Sequence, residues 1–261
     1  MLGSLLGRLY RAAISRLFGI DALLEQRLAP LIRQQVEDAL RGFVGGHEGR
    51  GFPVDVALTA RVLAAAGSAD YLGRHMHMAR NLKNSEALLE FALSQCSLEG
   101  LVLEFGVFQG KSLRYIAGCV GQSRTVYGFD SFEGLPEDWT GFQRKGRFAL
   151  EGTAPRFEEP NIELVPGWFD RTLPAFLAAH GCPASFIHAD ADLYSSTVTI
   201  LTALRARIVP GTVIVFDEYF NYPGWEHHEF RAFREFIGES GLRYEYLGYA
   251  SGEFAVAVRI V

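Results

Sequence analysis

Acidic side chains recur in or just after short apolar segments of this sequence. They are Glu104, Asp130, Asp190 with Asp192 just beyond it, and the pair Asp217 and Glu218. A single acid in such a place is usually a helix cap. Several carboxylates at one edge repel each other and resist the loss of water unless a ligand or a cation compensates them. Their recurrence in four segments therefore favours one shared binding site over four separate caps.

Two of these segments carry the side-chain oxygens that a hard cation prefers. The stretch HADADLYSST begins at His188, and the stretch DEY begins at Asp217. Three or four oxygen ligands from neighbouring strand ends suit Mg²⁺, which usually keeps waters that a substrate can displace. The alternative is that Asp192 and Ser195 only cap the following helix, and for Ser195 we favour this cap. His188 lies inside the apolar segment, and its side chain is expected to point into the fold.

A glycine-containing stretch, EFGVFQGKS from Glu104 to Ser112, lies between a predicted strand and a predicted helix. Gly106 and Gly110 allow the backbone to turn sharply and to approach a ligand closely. Asp130 follows Gly110 by twenty residues, which is the offset at which an acid accepts hydrogen bonds from ribose hydroxyls. The combination predicts a cofactor that contains a nucleoside.

Two other nucleotide-binding motifs fit this stretch poorly. Gly110, Lys111 and Ser112 resemble the end of a P-loop, but that motif needs a glycine five positions before its second glycine, and position 105 is Phe. The G-x-G-x-x-G pattern of dinucleotide-binding folds is also absent from the sequence. A nucleoside triphosphatase and a dinucleotide enzyme are therefore disfavoured.

The elements that must position these residues alternate regularly after residue 100. Apolar strands are predicted at 101–106, 125–130, 162–167, 184–190 and 211–217, with helices between them. Continuous apolar strands alternating with helices predict an α/β fold with a doubly wound, mostly parallel, Rossmann-like sheet covered on both faces. The segments 242–249 and 254–260 predict a C-terminal antiparallel hairpin at the edge of that sheet. Ligands bind such sheets beyond the carboxyl ends of the strands.

The N-terminal part of the sequence is predicted to be a separate extension. Residues 1–53 are predicted to form an N-terminal helical extension with a glycine-rich linker at 42–53, and residues 54–261 to form the main domain. The first helix is amphipathic, with arginines that interrupt its leucines. It could lie on a membrane surface, but packing on its own domain or on a second copy of the chain is favoured, so we expect a homo-oligomer.

Composition limits the remaining classes of protein. The net charge of −5 gives no reason to expect a nucleic-acid partner. Cys96, Cys119 and Cys182 are widely spaced and include no CxxC, which is typical of free thiols in a reducing cytosol. No run reaches the roughly 18 apolar residues of a membrane span. We therefore expect a cytoplasmic enzyme.

Four motifs together resemble a known family. EFGVFQGKS, YGFDSFEGLPEDW, HADADLYSST and FDEY occur in that order over about residues 100–240. They look like the corresponding segments of the macrocin and mycinamicin O-methyltransferases, which are class I enzymes that use S-adenosylmethionine (SAM) and require Mg²⁺ to methylate sugar hydroxyls. The resemblance implies the same fold, cofactor and metal here.

Carried over by position, the resemblance assigns residues to each role. The cofactor-binding residues would be Glu104, Gly106, Gly110, Ser112, Asp130, Ser131 and Phe132. By similarity to catechol O-methyltransferase, the metal would be held by Asp190, Asp217 and Glu218, with Asp192 as the base; the reverse roles for Asp190 and Asp192 stay open. Phe108 replaces the middle glycine of the general E/D-x-G-x-G-x-G motif, and the first hundred residues match only loosely, which leaves the acceptor open.

These arguments predict transfer of a methyl group from SAM to a hydroxyl of a sugar, a small polyol or a natural product. The rival hypothesis is a non-catalytic SAM-binding or scaffold protein of a biosynthetic assembly. The intact acids at 190, 192, 217 and 218 speak against it. The histidine pairs at 75/77 and 227/228 are expected to be solvated. Trp139, Trp168 and Trp225 are expected in the core, with an acceptor pocket as the alternative place for them.

Overall fold

The computed structural model describes residue 34, residues 55–139 and residues 143–261. The chain divides into two units between Thr59 and Ala60, and the site described below lies in the second. The predicted extension at 1–53 falls outside the described residues apart from position 34, so its helices and the domain boundary at residue 53 stay predictions. No helix in the described part of the chain is long and apolar enough to cross a bilayer.

Eight strands and six α-helices alternate along the described chain. The strands are β1 (Arg80–Leu82), β2 (Leu101–Phe105), β3 (Val126–Asp130), β4 (Ile162–Pro166), β5 (Ala184–Ala189), β6 (Val213–Phe216), β7 (Tyr244–Ala250) and β8 (Val256–Ile260). The helices are α1 (Val56–His75), α2 (Ser85–Ser94), α3 (Lys111–Val120), α4 (Phe169–Ala179), α5 (Tyr194–Ala203) and α6 (Glu229–Ser240), with a 3₁₀ turn at Trp225–His227. The alternation confirms the predicted α/β class.

The eight strands form one sheet in the order β1-β7-β8-β6-β5-β2-β3-β4. Every neighbouring pair is parallel except the two that contain β8, which runs against β6 and β7. The doubly wound, mostly parallel fold is thereby confirmed, and so is the C-terminal hairpin. The hairpin is not the edge of the sheet, however, because β1 pairs in parallel with β7 outside it. The sequence pattern predicts a helix at about 78–96, but the structure has β1 before α2. Three residues are too few to show a strand pattern.

The central strands β2, β5 and β6 are buried along their whole length. Their apolar residues belong to two core clusters, one containing Leu103 and Phe216 and the other containing Val102 and Val215. Because side chains alternate between the faces of a strand, these two clusters mark the two faces of the sheet. Glu104 and His188, which are aligned partners in β2 and β5, are the ionisable residues in these strands, and Ser185 is their third polar residue.

The strand order reverses between β2 and β5. From β2 the chain adds β3 and β4 on one side, and it then crosses over to add β5 and β6 on the other. A reversal of this kind opens a crevice beyond the carboxyl ends of the two strands, where ligands bind in open α/β sheets. The residues that follow β2 and β5 are therefore the ones placed to form a site.

Candidate active site

A cavity of about 410 Å³ opens at this crevice. The loops after β2 and β3 contribute Gly106, Asp130 and Ser131 to its wall, and the loops after β5 and β6 contribute Asp190, Asp192 and Glu218. Aromatic rings form much of the remaining wall, from Phe108, Trp139, Phe148, Trp168, Phe169 and Phe254. The cavity therefore joins the glycine-containing loop to four of the predicted acids, Asp130, Asp190, Asp192 and Glu218.

Three positions in the loop between β2 and α3 have a left-handed backbone: Gly106, Phe108 and Gly110. Gly106 has φ of +90°, and a Cβ there would lie 1.8 Å from the carbonyl oxygen of Asp190, so only glycine fits this approach of two loops. Phe108 has φ of +47° despite its side chain. The missing middle glycine of the motif is thus replaced by a phenylalanine that nevertheless adopts a glycine-like conformation, and its ring lines the cavity.

The carboxylate of Asp130 holds this loop in place. Oδ2 accepts hydrogen bonds from the backbone N–H of Val107 (2.9 Å) and of Phe108 (2.8 Å), and Oδ1 accepts one from Phe132 (2.7 Å). These bonds account for the left-handed Phe108. Since each carboxylate oxygen can accept more than one hydrogen bond, Oδ1 keeps capacity for a ligand in the cavity. The expected bond from Asp130 to a ribose stays a prediction.

The other residues expected to bind the cofactor are distributed more widely. Ser131 lines the first cavity, whereas Ser112 lines a second one. Phe132 is buried in the core beside α3. Gly110 is the left-handed residue before α3, where a Cβ would collide with the ring of Phe157 at 2.4 Å. Gly110 and Phe132 therefore shape the loop without lining either cavity.

Asp190, Asp192 and Glu218 form a compact group of acids. One carboxylate oxygen of each lies within 4.8 Å of the others. Burial, followed by the charges of the neighbouring acids, raises the pKa of Asp190 and of Glu218 well above their ordinary values. Burial also raises the pKa of Asp192 to about 6. In the described part of the chain no lysine or arginine forms an ion pair with any of the three.

Asp217 is not brought into this acidic group. Its Oδ1 lies 4.0 Å from Nε2 of His188, and Nδ1 of that histidine is 2.8 Å from Oε1 of Glu104. Burial disfavours the charged imidazole, but the hydrogen bond to Glu104 and the charges of Glu104 and Asp217 outweigh it and raise the pKa of His188. The expectation that His188 points into the fold is met, and its side chain joins two of the predicted acids.

A second cavity, of about 360 Å³, adjoins these residues. His188, Asp190 and Asp217 line it together with residues at the start of α2 and α3, among them Ser112. Glu104 lines neither cavity, because its side chain is fully buried beneath His188. The acid that opens the glycine-containing motif therefore contacts a histidine inside the sheet, and its assignment to the cofactor stays a prediction.

Glu229, which the sequence arguments did not single out, is buried behind the acidic group. Its Oε2 accepts a hydrogen bond from the backbone N–H of Glu218 (3.0 Å), and its Oε1 accepts one from Ala191 (3.4 Å). Burial, followed by the charges of nearby acids, raises its pKa well above the ordinary value. A glutamate in the first turn of a helix is common, so nothing in the sequence distinguished this one.

The histidine pairs and the tryptophans also have defined places. Trp139 and Trp168 line the first cavity, and that this cavity takes the acceptor stays a prediction; Trp225 is buried in the core as expected. The indole Nε1 of Trp139 is buried and has no hydrogen-bond partner in the described chain. His228 stacks on Tyr222 and meets the edge of Trp139. His75 and His77 line neither cavity.

Comparison with known proteins agrees with this architecture. Residues 103–219 match the model of a family described as a methyltransferase domain. An 8-demethyl-8-(2,3-dimethoxy-alpha-L-rhamnosyl)-tetracenomycin-C 4'-O-methyltransferase from Streptomyces olivaceus is 31% identical over 54% of this chain and 60% of its own length. Mycinamicin III 3''-O-methyltransferase from Micromonospora griseorubida is 27% identical over 54% of this chain and 63% of its own length. Less than two thirds of either relative is thus matched.

Among solved structures, a calicheamicin methyltransferase superposes with a TM-score of 0.55 at 23% sequence identity. The superposition covers 67% of this chain and 78% of that one. At this level of identity the similarity concerns the fold, and it supports the Rossmann-like arrangement of the sheet.

Proposed function

We propose that this protein transfers the methyl group of SAM to a hydroxyl oxygen, with the help of Mg²⁺. The match of residues 103–219 to the model of a family described as a methyltransferase domain supports the methyl transfer. The observation that carries the proposal is the shared cavity. The glycine-containing loop and the three acids open into one enclosure at the reversal point of the sheet. A nucleoside cofactor and a cation-assisted acceptor would therefore meet in one place.

The residues on the β2 and β3 side of the cavity suit the cofactor. Gly106 lets the loop after β2 approach the backbone of Asp190 closely beside the cavity, and Asp130 presents a carboxylate that also stabilises the loop. Trp168 and Phe169, which follow β4, add aromatic surface on the same side. In the reaction the carbon–sulfur bond of the sulfonium breaks as a carbon–oxygen bond forms, and the hydroxyl proton passes to a base.

The residues on the β5 and β6 side suit a hard cation. Asp190, Asp192 and Glu218 supply only oxygen ligands, which Mg²⁺ prefers. Oε2 of Glu218 is buried and has no hydrogen-bond partner among the described residues, and such an uncompensated acid favours a bound cation. Mg²⁺ held there would lower the pKa of an acceptor hydroxyl and orient it.

Asp190 and Glu218 are proposed as ligands, and Asp192 as the group that takes the acceptor's proton. Burial raises the pKa of Asp192 to about 6, and a carboxyl whose pKa is raised towards neutrality is better suited to act as a general base. Asp217, which the sequence analysis placed among the ligands, has instead the nearby imidazole of His188 as its partner.

The acceptor is proposed to be a sugar or another hydroxylated small molecule. The aromatic wall of the cavity provides flat apolar surface, and the acids provide the polar end, as is typical of small-molecule sites. The names of two relatives describe O-methylation of a rhamnosyl-tetracenomycin and of mycinamicin III, which favours a glycosylated natural product.

The test is transfer of labelled methyl from SAM to a panel of glycosides, including rhamnosides, with Mg²⁺ or with EDTA. We expect transfer that EDTA abolishes and added Mg²⁺ restores, while the affinity for SAM measured by calorimetry hardly changes. The double variant Asp190→Asn/Asp192→Asn is the inactive control. Full activity in EDTA would overturn the metal part alone. SAM binding without transfer to any acceptor would favour the non-catalytic rival.

A further inference from the structure

Glu229 connects the two loops that carry the acidic group. It is the first residue of α6, it is completely buried, and it lines neither cavity. One carboxylate oxygen accepts a hydrogen bond from the backbone N–H of Ala191, and the other accepts one from the backbone N–H of Glu218. A single side chain therefore holds the loop after β5 and the loop after β6 at a fixed separation.

The two N–H groups belong to the loops that carry Asp190, Asp192 and Glu218. The N–H of Ala191 belongs to the peptide group that joins it to Asp190, and Asp192 is the next residue in the chain. Glu218 is itself a member of the group. Fixing these two peptides fixes the starting points of all three carboxylate side chains.

The conformation of Asp192 indicates why a restraint is needed. It has φ of +59°, a left-handed conformation that residues with a side chain rarely adopt. Such a conformation persists only where the surrounding structure holds it. The hydrogen bond from the preceding residue, Ala191, to Glu229 is a contact that does so.

The two contacts suit a carboxylate with the length of glutamate. Both backbone groups are donors, so both partner atoms must be acceptors, and glutamine would turn an NH₂ group towards one of them. Aspartate keeps the charge and both acceptors but is shorter by one methylene. The two substitutions therefore separate the charge of Glu229 from its reach.

We propose that Glu229 is a positioning residue that sets the spacing of Asp190, Asp192 and Glu218 before a cation binds. This inference rests on the proposed function, because it assumes that Mg²⁺ binds at the group formed by these three acids. Glu229 acts on the site through the backbone of the two loops and contacts neither the cation nor the acceptor.

The experiment is calorimetric titration of Mg²⁺ into the SAM-loaded protein, compared among variants. Glu229→Gln should weaken the affinity for Mg²⁺ by about 10- to 100-fold, the usual cost of losing a group that supports metal ligands. Glu229→Asp should weaken it too. Glu226→Gln removes the same charge from an exposed nearby position and should leave the affinity unchanged. The affinity for SAM, measured without Mg²⁺, should be the same in all variants.

The possible outcomes distinguish a failure of this inference from a failure of the proposed function on which it rests. Wild-type affinity in Glu229→Gln would overturn the positioning role and leave the proposed function intact. If Glu229→Asp kept the wild-type affinity for Mg²⁺ while Glu229→Gln lost it, the charge at position 229 would matter and the length of the side chain would not. That result would also overturn the positioning role. Absence of Mg²⁺ binding to the wild-type protein would remove the metal part of the proposed function, and this inference with it.

A second measurement needs no variant and so does not depend on how well one folds. In the metal-free wild-type protein, hydrogen–deuterium exchange should find the amides of Ala191 and Glu218 protected, because both are already bonded to Glu229. Rapid exchange at both amides before Mg²⁺ is added would show that the loops are not held in advance and would overturn the proposal.

Discussion

Asp217 and Glu218 are neighbours in the chain, yet they belong to two acidic groups with different electrostatics. Glu218 joins Asp190 and Asp192, with no cation within ion-pair distance among the described residues. Asp217 faces His188, which is held in turn by Glu104. The first group therefore has no cationic side chain beside it, whereas in the second an imidazole lies between two carboxylates and partly balances them.

The pleat of the strands explains the separation. By the alternation of side chains, Asp217 lies on the same face of the sheet as Val213 and Val215. Glu104 and His188 lie on that face too, with Val102 and Phe186. Glu218 continues the opposite side, that of Ile214 and Phe216. A run of acids in a sequence thus need not form one site, because consecutive residues at a strand end diverge.

The strongest test of this contrast exchanges each neighbour for its amide. Glu218→Gln should lower the affinity for Mg²⁺ and the rate of methyl transfer by orders of magnitude, since a neutral amide is a poor ligand for a hard cation. Asp217→Asn should change the affinity for Mg²⁺ far less, because its carboxylate lies outside the group. Magnesium titrations of both variants measure this. Equal losses in the two would mean that the acids act as a single cluster.

The balanced group should contribute to stability rather than to metal binding. His188→Ala would leave the buried carboxylate of Glu104 without its partner, and breaking such a pair costs about 3–5 kcal/mol. His188→Asn keeps a donor near the position of Nδ1 and should lose less. Urea denaturation followed by circular dichroism gives both values. A His188→Ala protein as stable as wild type would show that the pair is not holding the strands.

A third and smaller effect is expected on the affinity for SAM, at the side of the first cavity that Asp130 lines. Asp130→Ala should weaken SAM binding by about 1.5–3 kcal/mol, the contribution of a hydrogen bond to a charged group. Because Asp130 also holds the loop, S-adenosylhomocysteine should be compared with its 2'-deoxyribose analogue.

The difference in affinity between these two ligands isolates the ribose contact from the loop. It should be large in the wild-type protein and vanish in the variant. A difference that persists in Asp130→Ala would assign the ribose to another residue.

The order of strands and helices along the chain was predictable because continuous apolar segments are themselves the cause of buried parallel strands. The sequence also located the crevice, since the carboxyl ends of those strands must meet at one edge. The strand at Arg80–Leu82 was not predictable. Three residues contain too little pattern, and their pairing with Tyr244–Ala250 is a contact between distant parts of the chain.

The amino-acid sequence by itself determined which residue types reach the site: the glycines of the loop, Asp130, and the acids after the fifth and sixth strands. Tertiary structure decided how the acids are divided. The left-handed turn at Asp192 falls outside strand geometry, so alternation alone could not direct that side chain. Glu229 comes from a helix that begins thirty-seven residues after Asp192. Its role depends on two backbone hydrogen bonds that exist only once the helix has packed against both loops.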